Sequence, residues 1–341
     1  MNALAPLENG QDGEAQQARL GHERPLPTAG CRVVYKGLET TGWGATMADR
    51  VTVVLGTATP GGGFPVYGQA VAETINEADA SLLVQTRNTK GSTENVPLLE
   101  AGQLDLGLVT GEVAHEAVTG VGRPAANLRI LTVMYSTAGM FVARGDTTDR
   151  RIEDLKGRPV AFGASGSGLV VLARYVLDGL GLDMNRDFKA VFLDKAGEGP
   201  AMVMDGRVAA LWGGGTGWPG FAAVARGPAG ARFIAPDAEA IRRIQARHPF
   251  LETLTVPAAS YPGQDAPIVS VGSWSLILIR PEIADDVAYR LARALHRGEA
   301  ALGQRLAQAR ETTAANTAAA ARPELIHPGA LRYLREIGLV R

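Results

Sequence analysis

The chain has 341 residues, 46% of them apolar and 20% charged, with a formal net charge of −1. That length suits two domains of roughly 150 residues each, and the composition is that of an ordinary globular protein. The near-neutral charge excludes the basic footprint of a nucleic-acid or anionic-membrane binder, and a single cysteine, Cys31, excludes an internal disulfide framework and a cysteine metal cluster.

Residues 1–50 are rich in Gly, Pro, Glu and Gln with little periodicity, which reads as a flexible N-terminal tail. Residues 26–31 form a faint lipoprotein-like box, but no basic-then-apolar segment precedes it, which argues against a lipid anchor. The tail also lacks the apolar core of a signal peptide, and Met47 stands where an alternative start would fall. Nowhere do 18 apolar residues run together, so no membrane span is expected.

From residue 51 the chain alternates short β-branched runs with amphipathic stretches, the signature of βαβ units. Strands are expected over 51–55, 82–86, 106–109 and 130–135, with helices reaching to about 77 and 100. A second unit opens near Ile152, with a strand over 160–162 and then the clearest helix of the chain. Its apolar residues Leu169, Leu172, Ala173, Val176, Leu177 and Leu180 fall on one face at helical period. Ser167 is its N-cap, and Gly179 and Gly181 its terminators. Further strands are expected over 190–193, 208–212, 233–234 and 275–279. A long helix then starts at Pro281, with Glu282, Asp285 and Asp286 in its first turn and Arg293, His296 and Arg297 in its last. This implies an α/β protein of two lobes, each a mostly parallel sheet flanked by helices. The first lobe is discontinuous, 51–140 plus 265–341, and the second, 141–264, is inserted, with a ligand cleft between them.

Three loops share one design: each follows a strand, is rich in Gly and hydroxyl side chains, and leads into a helix. They contain Gly61-Gly62-Gly63-Phe64, Asn88-Thr89-Lys90-Gly91-Ser92 and Ala164-Ser165-Gly166-Ser167-Gly168. Such a loop aims backbone N–H groups and a helix dipole at an anion, each terminus contributing about 0.3–2 kcal/mol. The alternative for any one of them is a tight turn with an N-cap. None is a nucleotide fingerprint, because Val66 stands where G-x-G-x-x-G needs its last glycine and no Gly-Lys-Ser/Thr occurs. Ser165 lacks the glycine two residues on that a nucleophile elbow needs.

Lys90 is either a solvated loop lysine or a partner for an acidic ligand. Glu112, in Gly111-Glu112 just past a predicted strand, is either an acceptor for a ligand amine or a surface or capping residue. Phe64, Tyr67, Trp212 and Phe221 read mainly as core. Trp218, in Gly214-Gly215-Thr216-Gly217-Trp218, lies in a segment too glycine-rich for a core strand and reads as an aromatic wall. The histidines, His22, His115, His248, His296 and His327, have no metal-ligand spacing, and no nucleophile–base arrangement is suggested by proximity. No catalytic site, metal or cofactor is therefore expected.

From residue 51 to the C-terminus the chain resembles the TAXI family of TRAP-transporter solute receptors. The resemblance rests on 56–68, on Thr89-Lys90-Gly91-Ser92-Thr93-Glu94-Asn95, on Asp154-Leu155-Lys156-Gly157 followed by Gly166-Ser167-Gly168, and on His327-Pro328-Gly329-Ala330. It implies a type II periplasmic-binding-protein fold, a periplasmic and monomeric receptor, and delivery of a small anion to TRAP membrane subunits. The implied ligand is an amino acid such as glutamate or a dicarboxylate. Matched residue by residue, it places Gly62, Gly63, Phe64 and Tyr67 in the first binding loop and Thr89, Lys90, Gly91 and Ser92 in the second. Ser165, Ser167 and Gly168 fall in the third, and Thr216 and Trp218 face the cleft. Phe64-Pro65-Val66-Tyr67 stands where a tyrosine pair is usual, and Lys90 replaces a common glycine, so an altered ligand preference, toward more negative charge, is expected. A cytosolic sensor on the same fold and an enzyme using the bilobal cleft are the alternatives.

Overall fold

The computed structural model describes residues 50–341; the tail expected over 1–50, with Cys31 and Met47, lies outside the described residues but for its last. Four strand–helix steps build the N-terminal part and the central turn of the chain. They are β1 (Val51–Gly56) to α1 (Gly63–Ala78), β2 (Leu82–Arg87) to α2 (Ser92–Glu100), and β3 (Leu106–Val109) to α3 (Gly111–Thr119). The fourth, after the long strand β4 (Arg129–Arg144), is β5 (Pro159–Ala164) to α4 (Gly168–Gly179). Then come β6 (Lys189–Leu193), α5 (Gly199–Met204), β7 (Ala210–Gly214), α6 (Pro219–Ala225), β8 (Ala231–Ile234), α7 (Ala238–Arg247), β9 (Glu252–Val256) and β10 (Ile268–Ile279). Helices α8 (Asp285–Arg305), α9 (Ala314–Ala320) and α10 (Pro328–Glu336) end the chain.

The strands lie in the order β2-β1-β3-β10-β4-β7-β5-β6, with β8 paired to β4 and β9 to β10. Strands β1, β2 and β3 are mutually parallel, as are β5, β6 and β7, and each trio is joined to its neighbours through antiparallel pairing with β4 or β10. Strand β4 serves both halves of the sheet. Residues Arg129 to Ala138 pair with β10, and Gly139 to Arg144 pair with β7 and β8. Where β10 crosses β4, Gly272 sits against the Thr137 carbonyl so closely that any side chain there would overlap it.

Both long strands exceed the sequence expectation, which stopped the first at 135 and began the second at 275. The reason is visible in the residues at their middle. Ser136, Thr137, Gly139, Gly272, Ser273 and Ser275 break the apolar pattern that marks a strand, yet they occupy the crossing, where Thr137 and Ser275 share a hydrogen bond of 3.1 Å. The long C-terminal helix also differs. Residues 281–284 form a turn ahead of α8, which runs on to Arg305, because Leu302 continues the buried stripe of Ala288, Leu291 and Leu295. Arg305, rather than Arg297, therefore closes its last turn, pairing with Glu77 of α1.

Helix α1 buries Tyr67, Val71 and Ile75 against Leu55, Leu106 and Leu108 of the sheet. On the other half, Met140, Val142 and Leu211 meet Phe221 and Val224 of α6. Burying a side chain of this size is worth about 1.5–3 kcal/mol, so each half of the sheet holds its helices by the hydrophobic effect. His327 caps α10: its Nδ1 accepts from the Gly329 N–H at 3.2 Å, and its own N–H donates to the Ile130 carbonyl at 2.9 Å.

Candidate functional site

The four strand–helix steps deliver four helix N-termini to one cavity. It has a volume of about 730 Å³ with its mouth included. Gly62, Gly63 and Phe64 line it from the start of α1, Lys90, Gly91 and Ser92 from α2, Thr110 from the start of α3, and Ser167 and Gly168 from α4. Each helix leaves its first N–H groups without partners inside the helix, and none of the four is shorter than nine residues. The first turns of α1 and α4 carry no acidic side chain to offset the positive end of the dipole.

Buried polar side chains hold these ends in place. The Asn95 amide donates to the carbonyls of Thr57 and Leu108, both at 2.8 Å, tying the C-terminal ends of β1 and β3 together under α2. The Thr110 N–H donates to the Ser92 hydroxyl at 3.1 Å, joining α2 to α3. Across the mouth, the Thr93 hydroxyl donates to the Gly166 carbonyl at 2.9 Å, and the Ala196 N–H donates to Thr59 Oγ1 at 3.2 Å. The Tyr175 hydroxyl donates to Glu116 at 2.9 Å, beside an Arg174–Glu116 ion pair. These bonds join the β1–β3 side of the cavity to the β5–β6 side.

The walls are aromatic and hydroxylic. Trp212 is fully buried, its indole N–H donating to the Leu169 carbonyl at 2.8 Å, and packs edge-on to Phe141 at 4.7 Å. Trp218 faces Gly63 and rests edge-on against Phe221, and its backbone N–H donates to the Tyr261 hydroxyl at 2.9 Å. Tyr135 is buried against Tyr67, and burial raises its phenol far above the ordinary tyrosine value, so it stays a neutral hydroxyl. Thr59, Thr137, Ser275 and Gln308 complete the polar lining. Lys90 is the one charged side chain among the residues lining the cavity, and it is exposed.

Nine of the fourteen residues that the sequence assigns to ligand binding line this cavity: Gly62, Gly63, Phe64, Lys90, Gly91, Ser92, Ser167, Gly168 and Trp218. Five do not. Tyr67 is buried behind the wall, hydrogen-bonded to Thr312 at 2.9 Å. The Thr89 hydroxyl donates to the Thr57 carbonyl and accepts from the Gly91 N–H, both at 3.1 Å, so it shapes the loop from beneath. Ser165 is exposed, and Thr216 lies half-buried in the turn after β7. Glu112 is fully buried in the first turn of α3, where Ser273 donates to its Oε1 at 2.5 Å. Tyr135, Thr137, Ser275 and Gln308 carried no signal in the sequence, because they reach the cavity through the strand crossing and a distant turn. Among the described residues no group of three His, Cys, Asp or Glu side chains is placed to hold a metal, and no helix is long and apolar enough to cross a membrane.

The sequence profile of the NMT1-like family matches residues 55–338. A protein from Bordetella bronchiseptica RB50 superposes with a TM-score of 0.53 at 14% identity, covering 85% of this chain and 98% of that one. A periplasmic transporter superposes with a TM-score of 0.51 at 16% identity, covering 76% and 87%. At such identities the likeness is one of fold, and that fold is the mixed α/β architecture of type II periplasmic binding proteins.

Proposed function

This chain belongs to the NMT1-like family, and from that premise we propose that it is a solute-binding receptor for a small organic monoanion with an aromatic or apolar body. The observation that carries the reading is the make-up of the cavity. Four helix N-termini and one lysine favour negative charge, while Phe64, Tyr135, Trp212 and Trp218 offer a flat apolar surface. No carboxylate lines the cavity, so an α-ammonium group would be desolvated without a counter-ion, at a cost of several kcal/mol. A carboxylate lacking an amine is thereby favoured over glutamate, and the departures at Phe64 and Lys90 point the same way. The hydroxyls, amide and aromatic rings of the lining include no histidine or carboxylate to act as base, which favours capture over turnover.

The division into lobes 51–140 plus 265–341 and 141–264 belongs to this proposal, with the hinge at the passage of β4 and β10. So do a periplasmic location, a monomeric state, and delivery to the membrane subunits of a TRAP-type transporter. One of the proteins sharing the fold is a periplasmic transporter, which accords with such a role.

Thermal denaturation with benzoate, hexanoate, succinate and glutamate tests it. Benzoate is expected to raise Tm most, since saturation at a hundred times Kd stabilises by about 2.7 kcal/mol. A larger shift with glutamate would reverse the argument from the missing counter-ion. No shift with any of the four would overturn the receptor reading.

A further inference from the structure

Two aromatic side chains of the cavity carry polar atoms that no described residue uses. Tyr135, 6% exposed, stands edge-on to Tyr67, and Trp218, also 6% exposed, rests on Phe221. Among the described residues neither the Tyr135 hydroxyl nor the Trp218 indole N–H has a hydrogen-bond partner, whereas the indole N–H of Trp212 is spent on the Leu169 carbonyl. Unlike the Thr110 hydroxyl, neither atom is wholly buried. Since the rest of each side chain is packed away and both residues line the cavity, what stays open faces it.

The two atoms converge on Gly63. A methyl on that glycine would lie 3.6 Å from Trp218 Nε1 and 3.9 Å from the Tyr135 hydroxyl, so the two oxygens of a carboxylate seated there come within reach of both donors. The backbone completes the seat. Gly63 and Phe64 open α1, where N–H groups have no partner inside the helix, and Pro65 after them has no N–H to give. Of the four helix starts at the cavity, that of α1 is the open one. Helices α2 and α3 hold an acid in the first turn, Glu94 and Glu112, and Ser167 caps α4; α1, sixteen residues long, has neither acid nor side-chain cap.

We infer that the charged group of the ligand is seated over Gly63 at the start of α1, with the Tyr135 hydroxyl and the Trp218 indole N–H as its side-chain donors, and not at the exposed Lys90; the inference deepens the receptor reading above and rests on it. Burial keeps the Tyr135 phenol protonated, so it has a hydrogen to give. Glu311, the acid that bears on this phenol, is committed to the Ser136 N–H at 2.8 Å. Donors held in this way bond an ionised acceptor more strongly than a neutral one. The seat therefore distinguishes a carboxylate from an uncharged group of the same shape.

Calorimetric titration of the full chain with benzoate, and with benzamide as its uncharged counterpart, tests the seat. Tyr135→Phe removes only a hydroxyl without a partner among the described residues, so the fold is expected to hold. Its benzoate affinity is expected to fall about tenfold or more, and its benzamide affinity to fall less. Gly63→Ala places a methyl in the seat, 3.2 Å from Trp218 Cδ1, and is expected to lose at least as much for benzoate. Trp218→Phe, which keeps a ring against Phe221 and lacks the N–H, is expected to resemble Tyr135→Phe. Lys90→Ala is expected to lose less than any of the three. Unchanged benzoate affinity in Tyr135→Phe would overturn the seat and leave the receptor reading intact, as would a larger loss in Lys90→Ala than in Tyr135→Phe. Failure of the unsubstituted protein to bind benzoate would overturn the monoanion reading, and this inference with it.

Discussion

Helices α3 and α4 begin at the same cavity behind a hydroxyl residue, and they use that residue in opposite ways. Ser167 accepts from the Leu169 N–H at 3.2 Å and so completes the first turn of α4. Thr110 leaves its own helix uncapped by a side chain and keeps its hydroxyl without a partner. The first arrangement is a local stabilising device that any helix can use. The second is a buried polar group whose satisfaction has to come from outside the local structure. Two similar residues in similar positions thus differ in whether the hydroxyl is spent on the first turn of its own helix, and the hydrogen bond each one makes or lacks tells them apart.

The comparison is broken most severely by removing what seats α4. Trp212 is fully buried and its indole N–H fixes the Leu169 carbonyl in the first turn of that helix. Trp212→Ala is expected to destabilise the protein by about 3–5 kcal/mol, measured as a drop in the urea midpoint. A loss below about 1 kcal/mol would mean that the indole is not the support of this helix start. Next in size is the spacing between the two helices. A methyl on Gly168 would fall on the Thr110 hydroxyl and 2.7 Å from the Ser92 hydroxyl, both in buried side chains. Gly168→Ala is expected to cost about 1–3 kcal/mol of overpacking, and to weaken benzoate binding by about tenfold or more as α4 is pushed off α3. An unchanged Kd would show that this close approach is not needed for capture.

How much of this was legible in the sequence follows from the same contrast. The α4 start was fully readable, because a cap, a helical apolar stripe and terminating glycines are all local, and Ser167 does what its position predicts. Gly181 likewise takes the left-handed conformation, φ 76°, just past the helix end. The glycine loops around Gly62, Gly91 and Gly168 were readable for the same reason, and they do line the cavity. Tyr67 was assigned to the first loop by its place in a motif, yet three residues into a helix from Phe64 it turns to the sheet and is buried. The far side of the cavity was not readable at all. Thr137 and Ser275 meet only because β4 and β10 cross, and the residues that allow the crossing look like loop in one dimension. Glu112 appeared as a surface or ligand-facing acid; only the packing of β10 over α3 makes it a buried acid paired with Ser273.

The sharpest test of the comparison is the pair of conservative deletions, Ser167→Ala and Thr110→Val, measured for stability without any ligand. Ser167→Ala removes an acceptor from the Leu169 N–H, and N-cap losses of this kind amount to about 1 kcal/mol. Thr110→Val removes a buried hydroxyl that has no partner, keeps the shape of the side chain, and leaves its backbone N–H to Ser92 in place. Its expected effect on stability is within about 0.5 kcal/mol of zero or slightly favourable. Equilibrium urea unfolding of the two variants therefore separates the roles: a destabilised Ser167 variant beside an unaffected Thr110 variant is the expected result. A Thr110→Val loss as large as that of Ser167→Ala would mean that the threonine hydroxyl serves the fold of α3 after all.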